Sequence, residues 1–359
     1  MPNFRLGRVA EILEERRGLQ KVVVNVEGEA RRAYVLTQLI PAVEPGDEVI
    51  LNTTAIDLGL GTGGWHFVHW NRASTGASNP GPGHIMKLRY TSLQADTGCV
   101  EEHDERLRDV TSIEGMPVVH CALHSQLAGA ATAFHERAPY AKLAYIMTDG
   151  AALPLALSDL VAALSDLGLI DMTITVGHAF GGTHEAINVH SALAVARTLG
   201  MSAALVAVGP GIVGTNTALG HTGLEAATVL DATAALGGLP IAALRVSFAD
   251  ERPRHQGVSH HSRTALGLAV RSRVQVVVPL IGGQEEERIR ADLKTSGIDE
   301  RHDVISVDPG DVIARFNRHG LDISSMGRPA STDPALHACA AAAAILAAER
   351  LTGRDDRGL

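Results

Sequence analysis

Apolar residues are distributed along this chain in two textures. Up to about residue 70 they alternate with polar neighbours: single side chains separate Val22, Val24 and Val26, Glu27-Gly28-Glu29 breaks the run, and Arg31 to Leu36 returns. Pro45-Gly46-Asp47 then turns the chain into Glu48 to Leu51. A period of two between glycine-bearing turns marks half-buried strands, and several short ones in succession predict a small antiparallel barrel. Residues 71–83 (NRASTGASNPGPG) read as an exposed connection inside a small β domain spanning 1–95. His84 to Gln94 is expected to add a strand, and Glu101 to Arg108 a charged surface segment.

From about Pro117 the texture changes. Continuous apolar runs of strand length alternate with helical patterns: Val118 to Leu123, Leu143 to Met147, Met172 to Val176, Ala203 to Val208, Ile241 to Val246 and Val274 to Pro279. Such runs between helices predict a mostly parallel sheet buried on both faces. The expected fold is therefore α/β: a doubly wound sheet over residues 113–350 behind the N-terminal antiparallel β-barrel-like domain. Helix signals agree. Pro154 suits a first turn and Gly168 a helix end. Gly182 or Thr183 would cap a helix near Glu185, and Thr222-Gly223-Leu224-Glu225 has the form of a capping box. Asp333-Pro334 opens an Ala-rich last helix, and Thr352 to Leu359 reads as a polar tail.

Composition narrows the function. The chain has 359 residues and 3% aromatics, so its core must rest on Ala, Val, Leu and Ile. A formal net charge of -9 argues against a nucleic-acid partner, which needs a cationic face. Arg252-Pro253-Arg254 makes a basic patch of phosphate size only. Cys99, Cys121 and Cys339 are odd in number and lack paired spacing, as in a reducing compartment. The N-terminus lacks a signal-peptide core, and no uncharged apolar run reaches the roughly 20 residues that span a bilayer. These features predict a soluble, cytoplasmic protein with a small-molecule ligand and no membrane partner, and leave homo-oligomerisation open.

The predicted strands end in loops rich in glycine, histidine, acid and hydroxyl groups, and in an open parallel sheet ligands bind outside those ends. Gly209-Pro210-Gly211-Ile212-Val213-Gly214 matches G-x-G-x-x-G, and with Thr215 it could cradle a phosphate. Yet Thr215 to His221 separate it from the next helix and Pro210 removes a donor, so a plain turn is an equal reading. Gly59-Leu60-Gly61-Thr62-Gly63-Gly64 also matches, but a strand-like run holding both tryptophans, Trp65 and Trp70, follows it; a turn is expected there. His178 and His184 are suited to proton transfer or ligation but match no metal spacing. Asp149 reads as a base, a ligand or a cap. In Ser247 to Ser262, Asp250, His260 and His261 offer acid–base groups, and Arg252 or Arg254 could grip a carboxylate or phosphate. No G-x-S-x-G, Walker A or H-E-x-x-H motif is present.

The stretches GHAFGGTHEAINVHSAL, VGPGIVGTNTALGHTGLE and RVSFADERPRHQGVSHHSRTALG, with NTTAIDLGLGTGGWHFV and GHIMKLRYTSLQ, resemble a family of uncharacterised bacterial proteins, domain of unknown function 3866. The resemblance covers nearly the whole chain and implies no activity, cofactor or catalytic residue. The residues themselves suggest an enzyme for a phosphorylated or carboxylated metabolite. His178 or His260 would move protons, Asp149 or Asp250 would orient them, and Gly209, Gly211, Gly214, Thr215, Arg252 and Arg254 would hold an anion. A metal-assisted variant would use the same histidines. The alternative is a non-catalytic ligand-binding or assembly protein, since this fold class hosts many functions.

Overall fold

The computed structural model describes residues 1–60, 63–74, 76 and 81–355. The chain divides into two units, Met1–Thr97 and Gly98–Leu359.

The first unit is a closed barrel of five strands: β1 (Phe4–Arg16), β2 (Leu19–Val26), β3 (Glu29–Val35), β4 (Glu48–Asn52) and β5 (Trp65–Asn71), in the order β1-β2-β3-β5-β4. Alternation closes it, because Val22, Val24, Ala33, Val35, Val49 and Leu51 all face one core. One pairing, β3 with β5, is parallel; the others are antiparallel, as expected for the whole barrel. Of His84 to Gln94, only Met86–Lys87 forms strand, paired with Ala95–Asp96. Trp65 stacks on Tyr34 at 4.6 Å beneath Arg32, and Trp70 packs against the barrel core, so both tryptophans anchor barrel structure. Gly61 and Thr62 of the glycine-rich match before β5 lie outside the described residues, as do parts of the connection 71–83.

The second unit carries an eight-stranded sheet: β6 (Pro117–Cys121), β7 (Leu143–Thr148), β8 (Met172–Thr175), β9 (His184–Glu185), β10 (Ala203–Val208), β11 (Leu239–Ala243), β12 (Gln275–Pro279) and β13 (Asp303–Val307). The order is β9-β8-β7-β10-β6-β11-β12-β13 and every pairing is parallel. Along the inner strands, successive residues enter opposite cores. Val119, Tyr145, Leu205 and Ile241 face the helices Leu127–Arg137, Asp159–Asp166 and Pro334–Asp355. Val118, Ile146, Val206 and Ala242 face Val189–Thr198, Glu225–Ala235 and Gly283–Thr295. The sheet is thus doubly wound, and its Val/Ala/Leu runs are continuous because both faces are dry.

Several local expectations shift. Pro154 precedes a 3-10 turn, and the helix that follows starts at Asp159 with Ser158 as its cap. Gly168 ends that helix with φ 67°. No helix starts near Glu185: His184–Glu185 is an edge strand, and Asn188 caps the helix Val189–Thr198. The last helix begins at Pro334 as expected but runs to Asp355, past the predicted start of the tail. Its segment Pro334–Leu351 is long and apolar enough to cross a membrane by length and composition, and 72% of it is buried inside the protein.

Candidate functional site

Because all eight strands run the same way, their C-terminal ends share one edge. From β6 the chain moves towards β7, β8 and β9, and from β10 it moves the other way to β11, β12 and β13. β6 and β10 are neighbours, so this reversal opens a crevice at the middle of the edge. The loops meet there. Asp149 Oδ2 accepts from the His178 amide at 2.9 Å. The Ala152 amide donates to the Pro210 carbonyl at 3.2 Å. A Cβ on Gly209 would lie 2.1 Å from the Ala152 carbonyl oxygen, and one on Gly214 would lie 3.7 Å from His261 Nε2. The turns beginning at positions 148, 178 and 209, and the segment reaching His261, therefore share one rim.

Its centre is a cluster of imidazoles. His221 closes the tongue 209–221 and donates through Nε2 to the Ala218 carbonyl at 3.0 Å, leaving a buried, unpartnered Nδ1. His260 and His261 open the short helix His260–Thr264, whose cap, Ser259, accepts from the His261 amide at 3.3 Å. His255, in the turn Pro253–His255, bonds Ser259 Oγ at 2.7 Å. Ring centroids are 4.0 Å apart for His221 and His261, 4.3 Å for His260 and His261, and 5.0 Å for His255 and His260.

Burial holds all four rings neutral. His255 falls to about 3, His260 to about 4 and His261 to about 2, burial being the largest cause and neighbouring positive charge, chiefly Arg245, the next for His255 and His261. His221 is lowered for the same first reason. Arg245 Nη1 donates to His261 Nδ1 at 3.0 Å. Guanidinium cannot accept, so the proton of neutral His261 sits on Nε2.

Ring nitrogens of His221, His260 and His261 lie within 4.8 Å of one another, close enough to ligate one ion. The ring geometry opposes it. His221 and His261 stack at an interplanar angle of 10°, so their lone pairs run side by side instead of converging. His261 Nδ1 is also occupied by a cationic donor. A metal would need one ring to turn.

The other predicted site residues are placed differently. Asp250 is buried and clamped by Arg252 through Nε at 2.9 Å and Nη2 at 2.8 Å. That ion pair holds its carboxyl well below the usual carboxylate range, which removes it as a base. Asp149 orients the loop of His178, and three strands separate β8, before His178, from β11, before His260. The 209–215 segment is not a phosphate cradle on a helix. Gly209 and Gly214 allow close packing, Gly211 takes φ 90°, Thr215 Oγ1 bonds the Gly220 carbonyl at 3.1 Å, and no helical turn starts before Thr222. Arg254 adds its charge to the rim.

Two residues escaped sequence reasoning. Glu225 looked like half of a capping box, yet its helix has no side-chain cap bond. Its carboxyl turns to the Thr148 hydroxyl instead, where burial raises it to about 7 and leaves Oε2 without a hydrogen-bond partner. Gly150 makes the room, since a Cβ there would lie 2.3 Å from Oε2. Arg245 sits between Leu244 and Val246 inside an apolar run; a lone cation in such a run was the signal available.

A family model described as protein of unknown function (DUF3866) matches residues 32–344, and the chain belongs to that family. Comparison with the curated proteins finds no match.

Proposed function

From membership in a family whose description assigns no activity, we propose that this chain is an enzyme acting on a small molecule at the rim of its sheet, with His260 and His261 as its proton-transfer groups. The observation that supports this most directly is the packing of neutral imidazoles at the switch point. A neutral ring both donates and accepts a hydrogen bond, and an anion bound beside it would raise its pKa towards neutrality, where proton transfer is most effective. His260 Nε2 is buried without a hydrogen-bond partner, so it has a valence to offer a ligand. Glu225 would supply a second acid–base group beside Asp149, and Asp149 would hold the His178 loop in place. The substrate would carry a carboxylate or phosphoryl group. Three buried free thiols, Cys99, Cys121 and Cys339, support a reducing, cytoplasmic setting.

A screen of phosphorylated and carboxylated metabolites for product formation tests the reading. His260→Ala should cost about 10²–10⁴-fold in turnover, the range for a lost proton-transfer group, and His178→Ala much less. Undiminished turnover in His260→Ala refutes the assignment; saturable binding with no product across the screen favours a sensor. The close nitrogens of His221, His260 and His261 support a second, metal-assisted reading. Stoichiometric zinc or cobalt binding that His221→Ala abolishes would establish it.

A further inference from the structure

Packing and imidazole chemistry leave Arg245 unexplained. It is 2% exposed, and among the described residues no carboxylate lies within ion-pair distance of it. Burial lowers its pKa to about 10, so it remains charged at neutral pH. Buried charges are ordinarily paired. Here the neighbours are more cations: Arg252, Arg328 and Arg254 all bear on it. Asp250, the acid whose charge reaches it, is engaged by Arg252 and stands 3.6 Å from Arg328. Arg328 Nε and Nη2 are buried without a hydrogen-bond partner. The carboxylate of Asp333, 3.5 Å from Arg328, already accepts from Ser247 Oγ and the Phe248 amide. Arg252 and Arg328 line an open hollow of about 520 Å³ with Ala249, Asp250, Glu251 and Met326, and Arg245 reaches its wall through Met326. That volume suits a metabolite-sized ligand.

Two of these guanidiniums, those of Arg245 and Arg252, touch a thioether. Ser324–Ser325 pairs with Arg328–Pro329, and the tip residues Met326 and Gly327 have φ 51° and 77°. Two left-handed residues make a tight hairpin turn, which glycine or asparagine adopts readily and methionine only under strain. The strain aims Met326 Sδ at Arg245 Nη2, 3.5 Å away, and at Arg252 Nη2, 3.4 Å away. Sulfur is a weak acceptor for two charged donors, whereas a planar or tetrahedral oxyanion matches the guanidinium fork.

We propose that Arg245, Arg252 and Arg328 form the oxyanion pocket of this rim, and that the Met326 thioether is a stand-in which the phosphoryl or carboxylate group of the ligand displaces. This rests on the small-molecule reading of the rim and narrows it. Arg245 links the pocket to the imidazoles, since one of its amino groups faces Met326 and the other bonds His261. The bound anion would therefore lie beside the proton-transfer groups.

The test is calorimetric titration of the full-length protein with inorganic phosphate and with acetate at fixed ionic strength. Wild type, Arg245→Met, Met326→Gly and the exposed control Arg108→Met are compared, with folding checked by circular dichroism. At least one anion should saturate the wild type. Arg245→Met should weaken it about tenfold or more, as loss of a charge-assisted bond does. Met326→Gly should bind several-fold more tightly, having no thioether to displace, and Arg108→Met should match wild type. Wild-type affinity in Arg245→Met, or no saturable binding of either anion by Met326→Gly, overturns the proposal. Should Arg245→Met not fold, Met326→Gly decides alone. The preferred anion identifies the ligand's charged group. Anion binding as expected with undiminished turnover in His260→Ala would leave the pocket standing and remove the catalytic assignment.

Discussion

Replacing His120 by leucine should flatten the acid sensitivity of the α/β unit by one proton. His120 lies on β6 between Val206 of β10 and Ala242 of β11, facing a narrow cavity it shares with Gly223, Ala226 and His261. Burial alone lowers its pKa from 6.5 to about 4. As pH falls below 6.5, the unfolded chain takes up a proton at this position before the folded one does. Stability present above 6.5 is therefore lost progressively towards pH 4. Each pH unit is worth about 1.36 kcal/mol, so His120 alone withdraws about 3 kcal/mol across the interval. Buried His124 and His337, also lowered to about 4, add similar slopes in the wild type. Urea unfolding at several pH values from 7.5 to 5, followed by the helical circular dichroism signal, measures this. Tryptophan fluorescence would not serve, because Trp65 and Trp70 both belong to the barrel. The two proteins should run nearly parallel above pH 7, and between pH 6 and 5 the variant should lose about 1 kcal/mol less per pH unit than the wild type. Equal slopes would refute the assignment of a neutral buried His120.

Gly209→Ala should destabilise the α/β unit by about 3 kcal/mol in denaturant unfolding, because its methyl would meet the Ala152 carbonyl and backbone cannot swing aside. Asn188→Ala should cost about 1 kcal/mol by the same measurement, through loss of the cap on Val189–Thr198. Thr148→Val should raise the Glu225 pKa above about 7, since it removes the hydroxyl that favours the carboxylate. A larger protonated-carboxyl band at pH 7 in infrared difference spectra would show it.

The candidate site was partly legible before folding. His260, Arg252 and the tongue beginning at Gly209 were visible because strand-end loops carry polar groups that a turn does not need. Their roles were not. Asp250 looked like a base until Arg252 was seen on both its oxygens. Glu225 looked like a capping residue until its carboxyl was seen turned to Thr148, into space left by Gly150. The stacking of His221 on His261, 40 positions apart in sequence, follows from no local pattern.

Sequence alone determined the alternating barrel strands, the continuous apolar strands of a doubly wound sheet, and the edge on which its polar strand-end loops gather. Those follow from side-chain periodicity and turn chemistry, which act over a few residues. Only the tertiary structure decided strand order, the parallel pairing of β3 with β5, and the meeting of Arg245 with His261 and Met326. Whether a buried guanidinium is paired depends on which distant acids the fold brings within reach, and among the described residues no carboxylate stands within ion-pair distance of Arg245.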